Sequence, residues 1–149
     1  MLDQLRQGTS PGRLAASIAA GTVCSVLPFI GLTTLFNLVV AAVARLNQPI
    51  MQVLNQLLTP VQLVLILVYV RIGERLWGAH PLSFSVSDVV STFREASLSE
   101  FFARFGMAGL HALTAWTITA PVVFGVVWFA TAPLLRRFAV RGLEGKASS

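Results

Sequence analysis

Charged residues are scarce in this sequence: they make up 11% of its 149 residues, whereas a soluble domain carries about 25%. Hydrophobic residues account for 55%, and the mean hydropathy is +0.75. This composition excludes an ordinary water-soluble domain. We therefore take the lipid bilayer as the solvent of this chain and as its first expected partner.

Cysteine and histidine are almost absent, with one cysteine, Cys24, and two histidines, His80 and His111. A single cysteine cannot form an internal disulfide. Neither histidine has a carboxylate or thiol at the spacing of a metal site, and the sequence assembles no hydrolytic triad or phosphate-binding loop. We expect no catalytic residue, no metal and no cofactor, and a protein that is not an enzyme.

Acidic residues number six against eleven Lys and Arg residues, which gives a formal net charge of +5. Proteins that bind nucleic acid also carry such an excess, but they gather their bases in a patch or run. Here the bases are scattered at the edges of apolar stretches, which is typical of anchors to anionic lipid headgroups. We expect no nucleic-acid partner.

Three long stretches carry no Lys, Arg, Asp or Glu, and each has a proline near its middle. Each exceeds the roughly 20 apolar residues of a membrane-spanning helix. If each stretch enters the membrane and returns, all bases lie on one side, whereas single crossings divide them between both sides. Lys and Arg are retained in cytoplasmic loops, so the pattern favours re-entrant hairpins. The stretches are residues 14–44 with Pro28, 46–70 with Pro60, and 105–135 with Pro121.

The first stretch, residues 14–44, has the strongest signal for a reversal. Pro28 breaks a helix, and Gly31 follows three residues later, a pair that suits a tight turn. Each arm then has about 14 residues, or roughly 21 Å of helix, which is short of the roughly 30 Å hydrocarbon core. We predict a hairpin broken at Pro28 that enters the membrane without crossing it. The alternative is one long helix kinked at Pro28.

A second hairpin is predicted over residues 46–77, broken at Pro60. Its first arm carries Gln52, Asn55 and Gln56, which are too polar to face lipid and are expected to line the interior. The arm after Pro60 is aliphatic and is expected to contact lipid.

The rest of the chain adds a surface segment and one more membrane segment. Residues 79–104 are predicted to form amphipathic helices in the membrane interface, and the alternative is an ordinary loop. Ser97 and Glu100 match a capping box that opens a helix. Residues 105–135 fit either a span kinked at Pro121 or another hairpin. The predicted all-α, single membrane domain, residues 1–149, thus consists of segments 14–44, 46–77, 79–104, 105–135 and a basic tail, 136–149.

Polar side chains inside the apolar stretches form the predicted site, because they are costly in a bilayer. Thr33 and Asn37 are four residues apart and share a helix face. A helix that begins in mid-membrane also presents free N–H groups that favour an anion. The alternative is that these side chains only pack helices together. The predicted substrate-site and hairpin-tip residues are Pro28, Phe29, Gly31, Thr33, Thr34, Asn37, Arg45, Asn47, Asn55, Pro60 and Gln62.

Arg71 and Glu74 lie three residues apart where the aliphatic arm leaves the membrane. Glu74 is either a proton-coupling carboxylate or part of an interfacial ion pair that fixes the helix orientation. An exposed pair of this kind contributes only about a few tenths of a kcal/mol.

A set of short motifs follows in order along residues 8–137: Ser10-Pro11, Pro28, Gly31, the run Arg45-Leu46-Asn47-Gln48-Pro49, Thr59-Pro60-Val61-Gln62 and Arg71-Ile72-Gly73-Glu74. The set resembles an uncharacterised bacterial membrane-protein family, domain of unknown function number two thousand and sixty-two. The resemblance implies the bacterial cytoplasmic membrane and no settled activity. A looser architectural similarity, paired re-entrant hairpins, points to DedA-like lipid translocases and to chloride-channel-like transporters.

These features favour a transporter or translocase for an anionic lipid or a small anionic solute, with a polar site between two hairpins. Arg45, held between the hairpins, is expected to attract the anionic group. So few segments enclose a pathway only as a homo-oligomer. The alternative is a non-catalytic structural or assembly subunit of a larger membrane complex.

Overall fold

A computed structural model describes residues 10–29, 31–79, 87 and 98–147. The regular structure of these residues is entirely helical. Most of the predicted surface segment, 79–104, lies outside the described residues, although a helix does begin at Leu98, where the capping box predicted one. The four helices are α1 (Pro11–Ser25), α2 (Thr33–Val43), α3 (Gln48–Trp77) and α4 (Leu98–Ala147).

Helices α1 and α2 form a hairpin. Pro28 lies in the connection between them, and Gly31 has φ of 88°, a left-handed conformation that glycine adopts without strain. After α2 the chain has returned to the first half of α1, because the backbone N–H of Asn47 donates to Oγ of Ser17 at 2.8 Å. The reversal predicted at Pro28 is therefore present, and the alternative of one kinked helix is not.

Helix α3 is continuous over 30 residues, so the predicted hairpin with a reversal at Pro60 is wrong. Pro60 removes one helical hydrogen bond, the one to the carbonyl of Gln56 four residues earlier, which weakens the helix there without ending it. In addition, the four residues that follow Pro60 include no glycine to complete a turn like the one at Gly31.

Helix α4 is also continuous, with Pro121 and Pro133 inside it. Of the two alternatives for residues 105–135, the structure has the single helix and not the hairpin. The helix extends through most of the predicted basic tail, 136–149.

The helices pack through small side chains. Buried alanines lie in both core clusters, and on α4 three of them, Ala108, Ala112 and Ala115, recur every three or four residues and pack with Tyr69 and Val70 of α3. Small residues let the backbones of membrane helices approach closely, since lipid leaves no hydrophobic force between helices. The buried alanines are Ala15, Ala19 and Ala20 of α1, Ala41 of α2, and Ala108, Ala112, Ala115 and Ala132 of α4.

Two helical segments, Gln48–Trp77 and Gly106–Phe138, are long and apolar enough to cross a membrane. Of the most apolar 18 residues in each segment, only 28% and 6% are buried inside the protein, unlike the core helix of a soluble protein. Large apolar side chains are exposed instead, including Val43 at 81% and Phe129 at 72%. Apolar surface of this extent indicates contact with lipid or with another apolar surface.

Candidate functional site at the hairpin tip

The tip of the α1–α2 hairpin, which is the connection between Ser25 and Thr33, lies against the middle of α3. The side-chain amide of Gln62 donates from Nε2 to the carbonyl of Leu27 at 2.7 Å. Gln62 is at the midpoint of α3, with about 22 Å of helix on either side. On the other side of the tip, the ring of Phe29 packs beside Gly109 of α4. The hairpin therefore follows only the first half of α3.

Two buried asparagines, one from each helix, join α2 to α3. Asn37 donates from Nδ2 to the carbonyl of Thr33 at 3.0 Å and, at 3.4 Å, to Oδ1 of Asn55. Asn55 in turn donates from Nδ2 to the Thr34 hydroxyl at 3.0 Å. Thr33 and Asn37 lie on one buried face of α2, as their spacing predicted. This chain of amides fixes the start of α2 against α3.

Oδ1 of Asn37 has no hydrogen-bond partner among the described residues, although Asn37 is fully buried. An unsatisfied buried group costs about 1–3 kcal/mol, so it needs an explanation such as a water or a ligand. Nδ2 of Asn37 donates to two acceptors, which identifies it as the amide nitrogen. The unpaired atom is therefore the amide oxygen Oδ1, which accepts hydrogen bonds. It suits water or a hydroxyl group on a ligand, since a bare anion has no proton to donate.

The start of α2 supplies donors beside this acceptor. Leu32 precedes the helix and provides no side-chain cap, and the first backbone bond runs from the N–H of Phe36 to the Leu32 carbonyl at 2.9 Å. The N–H groups of Thr33, Thr34 and Leu35 therefore have no acceptor within the helix. Together with the positive end of the helix dipole, they favour a negatively charged group. The tip thus combines donors for an anion with an acceptor for a hydroxyl.

A stripe of polar side chains on α3 extends this site to the protein surface. Gln52, Gln56 and Thr59 are spaced four and three residues apart, which places them on one face of the helix. Gln52 donates to the Thr34 carbonyl at 3.4 Å, and Gln56 and Thr59 are exposed. The expectation that Gln56 lines the interior is therefore wrong. The predicted site omitted these three residues, although polar residues in an apolar stretch are the signal that identifies them.

The eleven predicted site residues do not all meet. Arg45 and Asn47 lie at the opposite end of α2 from the tip, about 16 Å away along the 11-residue helix. We call this end of the hairpin its mouth. Asn47 caps α3 there by accepting the Ile50 N–H at 3.2 Å. Because α3 does not reverse at Pro60, Arg45 is not held between two hairpins, and Pro60 is exposed on α3.

Arg71 and Glu74 form the predicted ion pair, with Nη1 of Arg71 2.9 Å from Oε2 of Glu74. Glu74 is buried, whereas the Arg71 side chain is 48% exposed. The pair lies near the end of α3, beside the crossing with α4 at Gly73 and His111. It is thus separate from the tip, and a proton-coupling role of Glu74 stays a prediction.

Within the described part of the chain, no group of three or more His, Cys, Asp or Glu side chains could hold a metal ion. The residues brought together at the tip are amides, hydroxyls and backbone groups. Such a set binds by hydrogen bonds.

The described residues form an all-helical bundle with two helices long and apolar enough to cross a membrane and a polar site beside the first half of one of them. The chain belongs to a family described as an uncharacterised protein conserved in bacteria, domain of unknown function 2062, whose model matches residues 1–143. Comparisons with curated proteins and with solved structures found no match. The similarity to DedA-like proteins was predicted from two re-entrant hairpins, and it loses that basis because the second of them is the continuous helix α3.

Proposed function

We propose that this protein is a multi-pass protein of the bacterial cytoplasmic membrane that translocates an anionic lipid or a small anionic solute. The observation that carries this proposal is the polar site at the hairpin tip. There, the buried Asn37–Asn55 pair, with its free acceptor, lies near the uncapped start of α2, about 10 Å along α3 from the contact that Gln62 makes with the tip at the helix midpoint.

Helix lengths support a half-depth position for this site. Helix α3 measures about 45 Å, more than the roughly 30 Å hydrocarbon core, whereas α1 and α2 measure only about 22 and 16 Å. With α3 crossing the bilayer, the hairpin enters from one side and its tip lies near the midplane. Non-helical backbone at that depth requires surrounding protein or a wet cavity. A wet cavity at the tip is also what a polar substrate needs.

The distribution of bases supports an orientation. By position in the sequence, seven of the eleven Lys and Arg residues belong to the mouth end and four to the opposite end. The bias in Lys and Arg sets membrane orientation, so the mouth faces the cytoplasm. This division replaces the expectation that all bases lie on one side, which required a reversal at Pro60. The mouth-end bases are Arg6, Arg13, Arg45, Arg136, Arg137, Arg141 and Lys146.

The exposed polar stripe supports a homo-oligomer. Gln56 lies beside Thr59 on the outer face of α3, where contact with lipid would leave the side-chain amide of Gln56 unsatisfied. A two-fold axis beside α3 would place the same stripe of a second copy opposite, as an isologous interface requires. Two stripes then enclose a polar path that leads to both tips.

The same stripe also favours a second candidate function, a structural subunit whose polar face is covered by a different membrane protein. Purification in mild detergent distinguishes the two. A homo-oligomer without other chains supports translocation, whereas a fixed stoichiometric partner supports the assembly role.

Removing either buried amide is expected to slow translocation by about tenfold, because Asn37→Ala deletes the acceptor for a hydroxyl group and Asn55→Ala deletes the partner that holds Asn37, and one hydrogen bond is worth about 1 kcal/mol or slightly more. The variants are Asn37→Ala and Asn55→Ala, in liposomes with fluorescent phosphatidylglycerol or inorganic phosphate as the probe. Thr117→Ala is the matched control, because the exposed Thr117 hydroxyl bonds only to Leu113 of its own helix.

Translocation is measured with both probes, phosphatidylglycerol and inorganic phosphate. Faster movement of either probe than in protein-free liposomes, lost in both asparagine variants and kept in the control, supports the proposal. Unchanged rates in Asn37→Ala and Asn55→Ala, or no movement of either probe by the wild-type protein, would contradict it.

A further inference from the structure

A cleft of about 420 Å³ opens on the side of the hairpin, separate from the polar tip. It lies between the three helices α1, α2 and α4, and its lining includes Ala20, Phe36, Val40, Trp116 and Phe124. Its volume falls within the roughly 300–1,000 Å³ of small-molecule sites. The Trp116 indole N–H is already bonded to the Val23 carbonyl at 3.1 Å, so the cleft is apolar throughout. Its occupant must be apolar as well.

The cleft is elongated along the helices. On α2 it follows Phe36, Val40 and Ala44, which are four residues apart and adjoin the face that carries Asn37. The eight steps from Phe36 to Ala44 extend about 12 Å along the helix axis. The cleft therefore runs from near the tip to the mouth, parallel to the helix axes and, with α3 crossing the bilayer, parallel to lipid chains.

Positive charge lies at the mouth end of the cleft. Ala44 and Leu46 line it, and Arg45 between them is exposed. Arg13 is exposed one helical turn before Ala16, another lining residue. Neither arginine forms an ion pair with any residue that the structure describes. The apolar cleft thus ends beside two cationic side chains at the mouth.

Arg45 also occupies a backbone position that usually belongs to glycine. Its φ is 52°, and the N–H of Leu46 bonds to the Ala41 carbonyl at 2.9 Å, as in the Schellman motif that ends many helices. Strained non-glycine residues of this kind are a reason to look for a function. Here the strained residue is the cation at the mouth.

We propose that the cleft binds an acyl chain of an anionic phospholipid from the cytoplasmic leaflet, with the lipid phosphate at the mouth beside Arg13 and Arg45. A lipid matches both the apolar length and the cationic end. A helix from a second copy would fill the apolar part but bring more positive than negative charge to the mouth, because the mouth-end sequence has seven Lys and Arg residues and only two acids, Asp3 and Glu144. The inference rests on the proposed membrane orientation and does not require translocation.

The test is quenching of Trp116 fluorescence by phospholipids brominated on the acyl chain, in liposomes that contain the full chain. Trp77→Phe and Trp128→Phe leave Trp116 as the only tryptophan. Brominated phosphatidylglycerol is expected to reach half-quenching at a lower mole fraction than brominated phosphatidylcholine. Each of the two arginines is expected to lower that mole fraction about fivefold. Equal quenching by the two lipids would overturn the proposal.

Variants test the two parts of the site separately. Arg13→Gln with Arg45→Asn is expected to abolish the preference for phosphatidylglycerol, and Asn tolerates the left-handed conformation. Arg75→Gln, an exposed arginine at the opposite end, is expected to preserve it. Ala44→Leu narrows the cleft and is expected to weaken quenching. Ala42→Leu, an exposed alanine that does not line the cleft, is the matched control.

The remaining outcomes are also decisive. Identical quenching of Ala44→Leu and Ala42→Leu would overturn the cleft as the binding site. A disulfide between two copies carrying Ala44→Cys and Cys24→Ala, with no lipid preference, would assign the cleft to a homodimer interface instead. A preference for phosphatidylglycerol in a protein that moves neither translocation probe supports the lipid site and contradicts only the proposed translocation.

Discussion

Replacing Gly73 with alanine is expected to lower the free energy of unfolding by about 2–3 kcal/mol, because α3 and α4 can no longer meet at their closest crossing. A methyl group at Gly73 would overlap the carbonyl carbon and oxygen of His111. These are backbone atoms, so no side-chain rotation relieves the overlap and the helices must separate. Reversible unfolding in mixed micelles, followed by circular dichroism, measures the effect.

Gly125→Ala is the matched control for this prediction. Gly125 is also in a long apolar helix, but an added methyl group there meets no atom within 4 Å. Alanine favours a helix over glycine, so the control is expected to be as stable as the wild type or slightly more so. Equal losses of stability in both variants would show that Gly73 is not at a helix crossing.

Replacing Trp116 with alanine is expected to cost about 3 kcal/mol, at the low end for a large aromatic residue because Trp116 is only half-buried. Its indole N–H donates to the Val23 carbonyl, in the last turn of α1 where carbonyls lack helical donors. Its ring also packs edge-on against Phe36 of α2, with centroids 6.0 Å apart. A single side chain thus joins α4 to both arms of the hairpin.

Two further variants separate these contributions. Trp116→Phe keeps most of the packing and is expected to lose about 1 kcal/mol, the value of one hydrogen bond. Trp128→Ala should have a smaller effect than Trp116→Ala, because the Trp128 ring contacts Phe129 of its own helix. If Trp128→Ala proves as destabilising as Trp116→Ala, Trp116 is not the residue that holds the hairpin to α4.

The contrast between Pro28 and Pro60 shows how far the sequence predicts this fold. Both prolines interrupt apolar stretches, yet only Pro28 lies at a reversal. The difference depends on neighbours: Gly31, with its positive φ, completes the first turn, whereas no glycine lies among the four residues after Pro60 and the helix continues. Proline alone shows where a helix is weakened. Whether the helix ends there depends on whether a nearby residue can complete a turn.

The candidate site was predictable only in part, for a similar reason. The four-residue spacing of Thr33 and Asn37 correctly placed them on one face of α2. The hydrogen bond from Asn37 to Asn55 joins residues 18 apart, and it forms only because the hairpin packs parallel to α3. Arg45 is eight residues beyond Asn37 in a helix, a distance of about 12 Å that removes it from the tip. The sequence predicts which residues share a face of one helix, but it does not predict which residues of two different helices come into contact.

The central claim is that α3 crosses the bilayer while the hairpin stops halfway. It is tested most directly by labelling single cysteines with a membrane-impermeant maleimide, in right-side-out and inverted vesicles of a Cys24→Ala background. Gln48→Cys and Trp77→Cys mark the two ends of α3, and Phe29→Cys marks the tip. We predict labelling of Gln48→Cys only from the cytoplasmic side, of Trp77→Cys only from the outer side, and of Phe29→Cys not from the outer side. Labelling of both α3 ends from one side, or of Phe29→Cys from outside as readily as Trp77→Cys, would contradict the account.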